Sequence, residues 1–263
     1  MIDLHSHILP AVDDGPVDWE DSLAMVACAA AQGTTTLVAT PHSHTGWLAA
    51  EPPHRQIPSL VNALQERANN AGIEITLLPG QECYYDAALV NELNQHRWLT
   101  LGHSRTVLLE LPFAMWPPAT EQLIYELQLA RYTVLLAHPE RYKAVQDRPN
   151  LLLPLVERGV LMQVTSTAIT GRLGTGPERC AKLLVMHGMC HVIASDGHNV
   201  RGRPPALADA VARVSEWVGA SAAQQMVRDV PEALLKDDVV RPPVELQRVE
   251  RHKRRRRLFN FFE

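Results

Sequence analysis

Short apolar or β-branched runs alternate with helix-period segments along most of this chain, and that alternation restricts the fold more than any other feature. The runs fall at 1–4, 34–40, 73–78, 106–111, 132–137, 160–165 and 190–195. Between and after them lie apolar positions at helical spacing, at about 57–71, 120–131, 151–158, 179–186, 205–217 and 220–228. Asp18 is placed to cap an earlier helix, and Gly33, Gly72, Gly159 and Gly188 stand where helices should stop. Strands separated by helices form parallel β/α units, so the class is α/β. Seven strands in one domain predict a barrel rather than an open sheet.

The second constraint is where the polar chemistry falls. His5, His7, His42, Glu82, Glu110, His138, Asp196 and His198 all lie at or just beyond strand ends. In β/α barrels the C-terminal strand ends form the active face. His5 and His7, two apart in an extended chain, point to the same side and can offer both imidazoles to one cation. Asp196 and His198 repeat the pattern at the last strand, and Asp13 and Asp14 follow the first. Glu110 interrupts the apolar run Val107-Leu108-Leu109-Glu110-Leu111, where an unpaired carboxylate would be expensive, so it is the candidate bridge between two cations. Its structural alternative is an ion pair with an arginine such as Arg141. Imidazoles and carboxylates without thiolates suit manganese, iron or zinc, and the number of carboxylates favours Mn2+. The ligand count implies two or three ions.

Arg141, three residues past His138, and Arg203, five past His198, should project over the same mouth. A guanidinium grips two phosphate oxygens in fork geometry, so the pair points to a phosphate ester. The alternative is that they cap carbonyls or pair with Glu140 and Asp209. His44, His54, His96, His103, His187, His191 and His252 read as surface or packing residues, with His44 the nearest to the site by sequence.

Composition excludes more than it names. The chain has 263 residues, 46% hydrophobic, with a formal charge of -4, which supports one substantial core and no nucleic-acid partner. No apolar run approaches the roughly 20 residues of a bilayer span, and the start carries no signal-peptide pattern. The four cysteines form no C-x-x-C pair, which fits a reducing cytoplasm. The residues six beyond Cys28, Cys83, Cys180 and Cys190 are Thr34, Leu89, Met186 and Asp196, so the arginine that a cysteine-dependent phosphatase needs is absent. Residues 251–263 gather arginines, Phe259, Phe261 and Phe262, which is either a contact with an anionic membrane surface or a solvated end.

Four motifs together carry a resemblance: Asp3-Leu4-His5-Ser6-His7-Ile8-Leu9-Pro10 with Asp13-Asp14-Gly15, Pro79-Gly80-Gln81-Glu82, His138-Pro139-Glu140-Arg141-Tyr142, and Ser195-Asp196-Gly197-His198-Asn199 with Gly202-Arg203-Pro204-Pro205. Over about residues 1–235 the chain resembles the bacterial manganese-dependent protein tyrosine phosphatases of capsule and exopolysaccharide synthesis, within the polymerase and histidinol phosphatase (PHP) superfamily. The resemblance implies a distorted (β/α)7 barrel of the PHP type spanning 1–235, with 236–263 as an extension. It implies a three-metal site of His5, His7, Asp14, His42, Glu82, Glu110, His138, Asp196 and His198, choosing Asp14 over Asp13. Arg141 and Arg203 would hold the phosphate. For the leaving phenolate the candidate donors are His42 and a metal-bound water. The implied substrate is the phosphotyrosine tail of a membrane tyrosine autokinase, met in the cytoplasm or at the inner membrane face; an oligomer is compatible with the pattern. The rival readings are another phosphoesterase of the superfamily, a histidinol-phosphate phosphatase or nuclease, and a non-catalytic metal-binding module of a membrane complex.

Overall fold

The computed structural model describes residues 1–43 and 56–250. His44, His54, His252 and the tail at 251–263 lie outside the described residues. Among the described residues there are eight strands: β1 (Ile2–Ser6), β2 (Thr36–Ala39), β3 (Thr76–Pro79), β4 (Glu82–Tyr84), β5 (Thr106–Glu110), β6 (Thr133–Ala137), β7 (Leu161–Thr165) and β8 (Val192–Ala194). The first three form one sheet and the other five a second, and every pairing is parallel.

The α/β class holds, and the strand count is one more than the seven expected. The extra strand, β4, has three residues and starts after Gly80-Gln81, too short to show a period of two. Isolated parallel bridges join the sheets at both seams, Ser6 to Gly197 and His42 to Glu82. Backbone bonds reinforce the first seam: Asp196 N donates to His5 O at 2.9 Å and His7 N to Gly197 O at 2.8 Å. The first and last strands are therefore neighbours, and the two ends of the chain's chemistry meet.

Strand alternation decides which side chains reach the site. Leu4, Val38, Leu108, Leu135, Ala137, Leu161, Val192 and Ala194, from both sheets, pack into one buried cluster between them. Val107, Leu109, Val134, Leu136, Met162, Val164 and Ile193 take the opposite parity and pack under the helices. With a period of two, the inward parity of Leu108, Leu161 and Ala194 continues to Glu110, Gln163 and Asp196. At the end where strands begin, the helix Asp229–Leu235 closes the inner cluster with Val230 and Leu234, and the Leu234 carbonyl accepts from Thr106 Oγ1 at 3.1 Å.

The helices follow the expected punctuation. Asp18 caps Trp19–Ala31 by accepting from the amides of Glu20 and Asp21. Residues 240–250 pack back on the outer helices: Val244, Leu246 and Val249 are half-buried, Gln247 N donates to His187 O, and Asn150 clasps the Val249 amide and carbonyl at 2.9 Å each.

Candidate metal centre

Three histidines are each fixed by one nitrogen and offer the other. His5 Nδ1 donates to Gln163 Oε1 at 2.9 Å, His7 Nδ1 to Asp13 Oδ2 at 2.6 Å, and His198 Nδ1 to the Asp196 carbonyl at 2.9 Å. A histidine so held presents the Nε2 lone pair inward, the arrangement that orients metal-binding imidazoles. Two of these lone pairs face each other, since His5 Nε2 and His7 Nε2 are 3.2 Å apart. Neither ring has a second proton to give unless it is charged, so a cation between them would satisfy both.

Carboxylates close round this pair. Glu82 Oε1 lies 2.8 Å from His138 Nε2 and 3.4 Å from His5 Nε2; its Oε2 lies 2.9 Å from His42 Nδ1 and 3.5 Å from His7 Nε2. The 2.9 Å approach is close but not aligned as a hydrogen bond, and Glu82 Oε2 has no donor although it is fully buried. Asp196 Oδ1 sits 3.4 Å from His5 Nε2 and 3.5 Å from His7 Nε2. Asp14 Oδ1 is 3.1 Å from His198 Nε2 and 3.5 Å from His42 Nε2. Glu110 approaches His42 at 3.6 Å and His138 at 3.7 Å.

Among the described residues these atoms fall into four overlapping groups able to hold ions: His7, Asp14, His42 and His198; His5, His7 and Asp196; His5, Glu82 and His138; His42, Glu82 and Glu110. All nine residues expected as ligands from the sequence are brought together. The shared carboxylate is Glu82, which belongs to two groups, whereas Glu110, expected as the bridge, belongs to one. Asp13 turns away to hold His7 and to accept from the His42 amide at 3.2 Å, leaving Asp14 to face the histidines.

The backbone accommodates this convergence locally. His138 and Asp196 have φ of 33° and 51°, left-handed conformations that side chains other than glycine rarely adopt and that cluster at functional sites. Gly15 is needed because a Cβ there would lie 2.5 Å from the His7 carbonyl.

The electrostatics describe a centre short of positive charge. Burial disfavours the charged form of each group here, yet the Glu82 and Asp14 carboxylates overcome it and raise the His42 imidazole to about 10. His7 is likewise raised, against burial, chiefly by Asp13. Burial and the neighbouring Glu82 charge push the Glu110 carboxyl up to about 8. Burying several carboxylates costs several kcal/mol each unless cations neutralise them. The donor set, the opposed lone pairs and the unpartnered Glu82 oxygen therefore fit divalent cations.

Both expected arginines arrive at the rim. Arg141 Nη1 donates to Asp196 Oδ2 at 2.8 Å and Arg203 Nη2 to the same oxygen at 2.5 Å. Asp196 thus turns one oxygen to the histidines and the other to two guanidinium groups. Arg203 Nε is buried without an acceptor. Neither arginine pairs with Glu140, whose Oε1 accepts from the Thr165 amide at 2.9 Å. Phe113 lies under Arg141, 4.4 Å from its guanidinium carbon to the ring centroid.

Residues outside the ligand set had weaker signals. Gln163 and Phe113 were not anticipated, although Gln163 interrupts an apolar run as Glu110 does. His191 Nδ1 accepts from the Met162 amide at 3.1 Å and His187 Nδ1 contacts the Leu183 carbonyl at 2.9 Å, both local roles. All four cysteines are free thiols; burial raises all of them, Cys180 to about 12, which suits no thiolate nucleophile. Among the described residues no helix is long and apolar enough to cross a membrane.

Known proteins match over nearly the whole chain. The family model described as capsular polysaccharide synthesis, CpsB/CapC, matches residues 1–236. Tyrosine-protein phosphatase YwqE of Bacillus subtilis (strain 168) is 35% identical over 264 residues, covering 100% of both chains. Tyrosine-protein phosphatase CpsB of Streptococcus pneumoniae is 28% identical over 91% of this chain and 100% of its own. A chain from the crystal structures of YwqE from Bacillus subtilis and CpsB from Streptococcus pneumoniae, described as unique metal-dependent tyrosine phosphatases, superposes with a TM-score of 0.89 at 33% identity, over 95% of this chain and 100% of that one.

Proposed function

The chain belongs to the capsular polysaccharide synthesis family CpsB/CapC and is a metal-dependent tyrosine-protein phosphatase; we propose that it acts on the phosphotyrosine tail of a membrane tyrosine autokinase. The observation that carries the chemistry is the meeting of Arg141 and Arg203 on the outer oxygen of Asp196, directly over the buried histidines and carboxylates. Two cations sharing one carboxylate oxygen have donors to spare, and the Arg203 Nε–H has no acceptor at all. A phosphoryl group has the oxygens to take them.

His5, His7, Asp14, His42, Glu82, Glu110, His138, Asp196 and His198 are proposed to hold two or three Mn2+ ions. When bound, such cations supply Lewis acidity and a water of lowered pKa. Gln163, Asp13 and the Asp196 carbonyl keep the ring nitrogens of His5, His7 and His198 aimed inward. Arg141 and Arg203 orient the phosphoryl group and offset the charge spread over its oxygens during transfer. His42, with 24% of its side chain exposed against 4% or less for the other four imidazoles, is proposed as the proton donor to the leaving phenolate as well as a ligand. We read the joined sheets as a distorted barrel over residues 1–235. The extension is proposed to place the basic, aromatic tail at an anionic membrane surface near the kinase.

Steady-state rates on a phosphotyrosine peptide, histidinol phosphate and single-stranded DNA, each with chelator and with manganese added back, test the reading. Hydrolysis of the peptide above the other two, lost in chelator and restored by manganese, is expected. Activity that persists in chelator, or that only a thiol reagent removes, overturns it.

A further inference from the structure

The segment that leaves β5 has a composition at odds with its position. Residues 111–119 read Leu-Pro-Phe-Ala-Met-Trp-Pro-Pro-Ala, with no charged side chain, although they follow directly on Glu110 at the mouth of a highly charged centre. The segment is pinned rather than loose. Tyr142 is fully buried; its hydroxyl donates to the Ala137 carbonyl at 2.8 Å and accepts from the Leu111 amide at 2.9 Å. Trp116 packs edge-on against Tyr142, centroids 6.4 Å apart, and the Phe113 carbonyl accepts from the Lys143 amide at 3.3 Å.

That framework holds the Phe113 ring 5.3 Å from the His138 ring and 4.4 Å from the Arg141 guanidinium carbon. Phe113 is nevertheless 39% exposed and Met115 61%. An aromatic ring fixed in place and left in water forgoes hydrophobic stabilisation that a ligand can recover. We infer that Phe113, with Met115 on the same segment, forms the subsite for the phenyl ring of the substrate, selecting aryl over alkyl phosphate monoesters. The inference rests on the phosphatase reading above and adds to it the residue that would recognise tyrosine.

The geometry fits that role. A ring attached to a phosphate held by Arg141 would lie within reach of Phe113, whose ring is 4.4 Å from that guanidinium carbon. An aryl group there makes offset or edge contacts with the Phe113 ring. A phosphoserine or phosphothreonine side chain brings no ring to the same place. Phe113 could instead serve only to steady Arg141 by stacking beneath it. In that case every phosphate ester would lose equally when the ring is removed.

The two roles separate in the manganese-loaded enzyme with Phe113→Ala, Phe113→Leu and Phe113→Tyr. The readouts are kcat and KM on matched phosphotyrosine and phosphoserine peptides, and calorimetric affinities for phenylphosphonate and methylphosphonate. We expect Phe113→Ala to lower the aryl-to-alkyl ratio of kcat/KM by about five- to tenfold, mostly through KM, as loss of an aromatic contact would. Phenylphosphonate should weaken more than methylphosphonate, Phe113→Leu should recover little, and Phe113→Tyr should recover most of the ratio. Equal losses on both members of each pair, or a ratio in Phe113→Leu equal to the unaltered enzyme's, overturn the subsite. If the unaltered enzyme hydrolyses neither peptide, the phosphatase reading fails, and the phosphonate affinities still decide the subsite.

Discussion

Among the described residues, histidine and arginine occur at both ends of the parallel strands, and at one end they converge. Just before β5 and β6, a cavity of about 310 Å3 is lined by residues including His96, His103, Arg105 and Tyr132 and, among the described residues, by no carboxylate. Arg105 spends its donors on the backbone, Nε to the Arg131 carbonyl and Nη2 to the Ala130 carbonyl, both at 2.7 Å, and lies over the Tyr132 ring. At the opposite end Arg141 and Arg203 turn to a carboxylate, and that carboxylate faces buried imidazoles. Residue type is the same at both ends. What separates the clustered histidines from the others is a ring nitrogen aimed at shared carboxylates, with the far nitrogen also fixed in His5, His7 and His198.

The sharpest way to break this comparison is to change one group at each end without changing its size. Glu82→Gln removes the charge shared by two ion-holding groups, whereas His103→Gln alters the cavity at the other end. Metal content by elemental analysis and aryl phosphatase activity should both collapse in Glu82→Gln, activity by more than about a hundredfold, beyond the range for groups that merely orient a ligand. His103→Gln should stay within about twofold, as surface changes do. Comparable losses in the two variants would mean that convergence at the strand ends is not what makes the centre.

A smaller effect tests the fixed far nitrogen itself. Gln163 accepts from His5 Nδ1 and lies buried in the middle of β7. Gln163→Leu frees the His5 ring to turn and to change tautomer. Metal affinity should fall by about 10- to 100-fold, with kcat at saturating manganese much less affected. An unchanged metal titration would show that His5 needs no such support.

Much of this end of the molecule was legible because strand ends are marked twice in sequence, by the close of an apolar run and by the polar residue that follows. His5, His138 and Asp196 stand at such points. What the pattern could not supply depends on backbone geometry beyond neighbour spacing. Asp13 and Asp14 are adjacent, and only the turn around Gly15 sends one behind His7 and the other toward His198. β4 was missed because three residues carry no period, and with it the central place of Glu82, its first residue. The bridging role expected of Glu110 followed from burial alone; the distances add that Glu82 is the carboxylate four imidazoles approach. Gln163 carried a usable signal, a polar residue in Val160-Leu161-Met162-Gln163-Val164, but an amide there reads equally well as packing.

The smallest expected effect contrasts buried carboxylates inside and outside the cluster. Burial would raise Glu82 and Asp196, but the surrounding histidines hold both well below the usual range, joined at Asp196 by Arg203. Glu140 is equally buried; its Oε2 has no partner, and burial outweighs the Thr165 amide to push the carboxyl up to about 7 from an ordinary 4.5. Between those two values the unfolded chain has released this proton while the folded chain keeps it. Stability then falls as pH rises through that window and levels off above about 7. Glu140→Gln keeps an oxygen for the Thr165 amide and abolishes the titration, at the cost of an amide group lacking an acceptor, about 1 kcal/mol or more. Relative to the unaltered protein, its stability should therefore climb with pH by about 1–3 kcal/mol between pH 4.5 and 7 and then stay constant. Urea unfolding of both proteins in chelator across pH 4.5 to 8, so that metal binding does not contribute, measures that difference. A flat difference would mean that Glu140 ionises inside the fold as readily as in water.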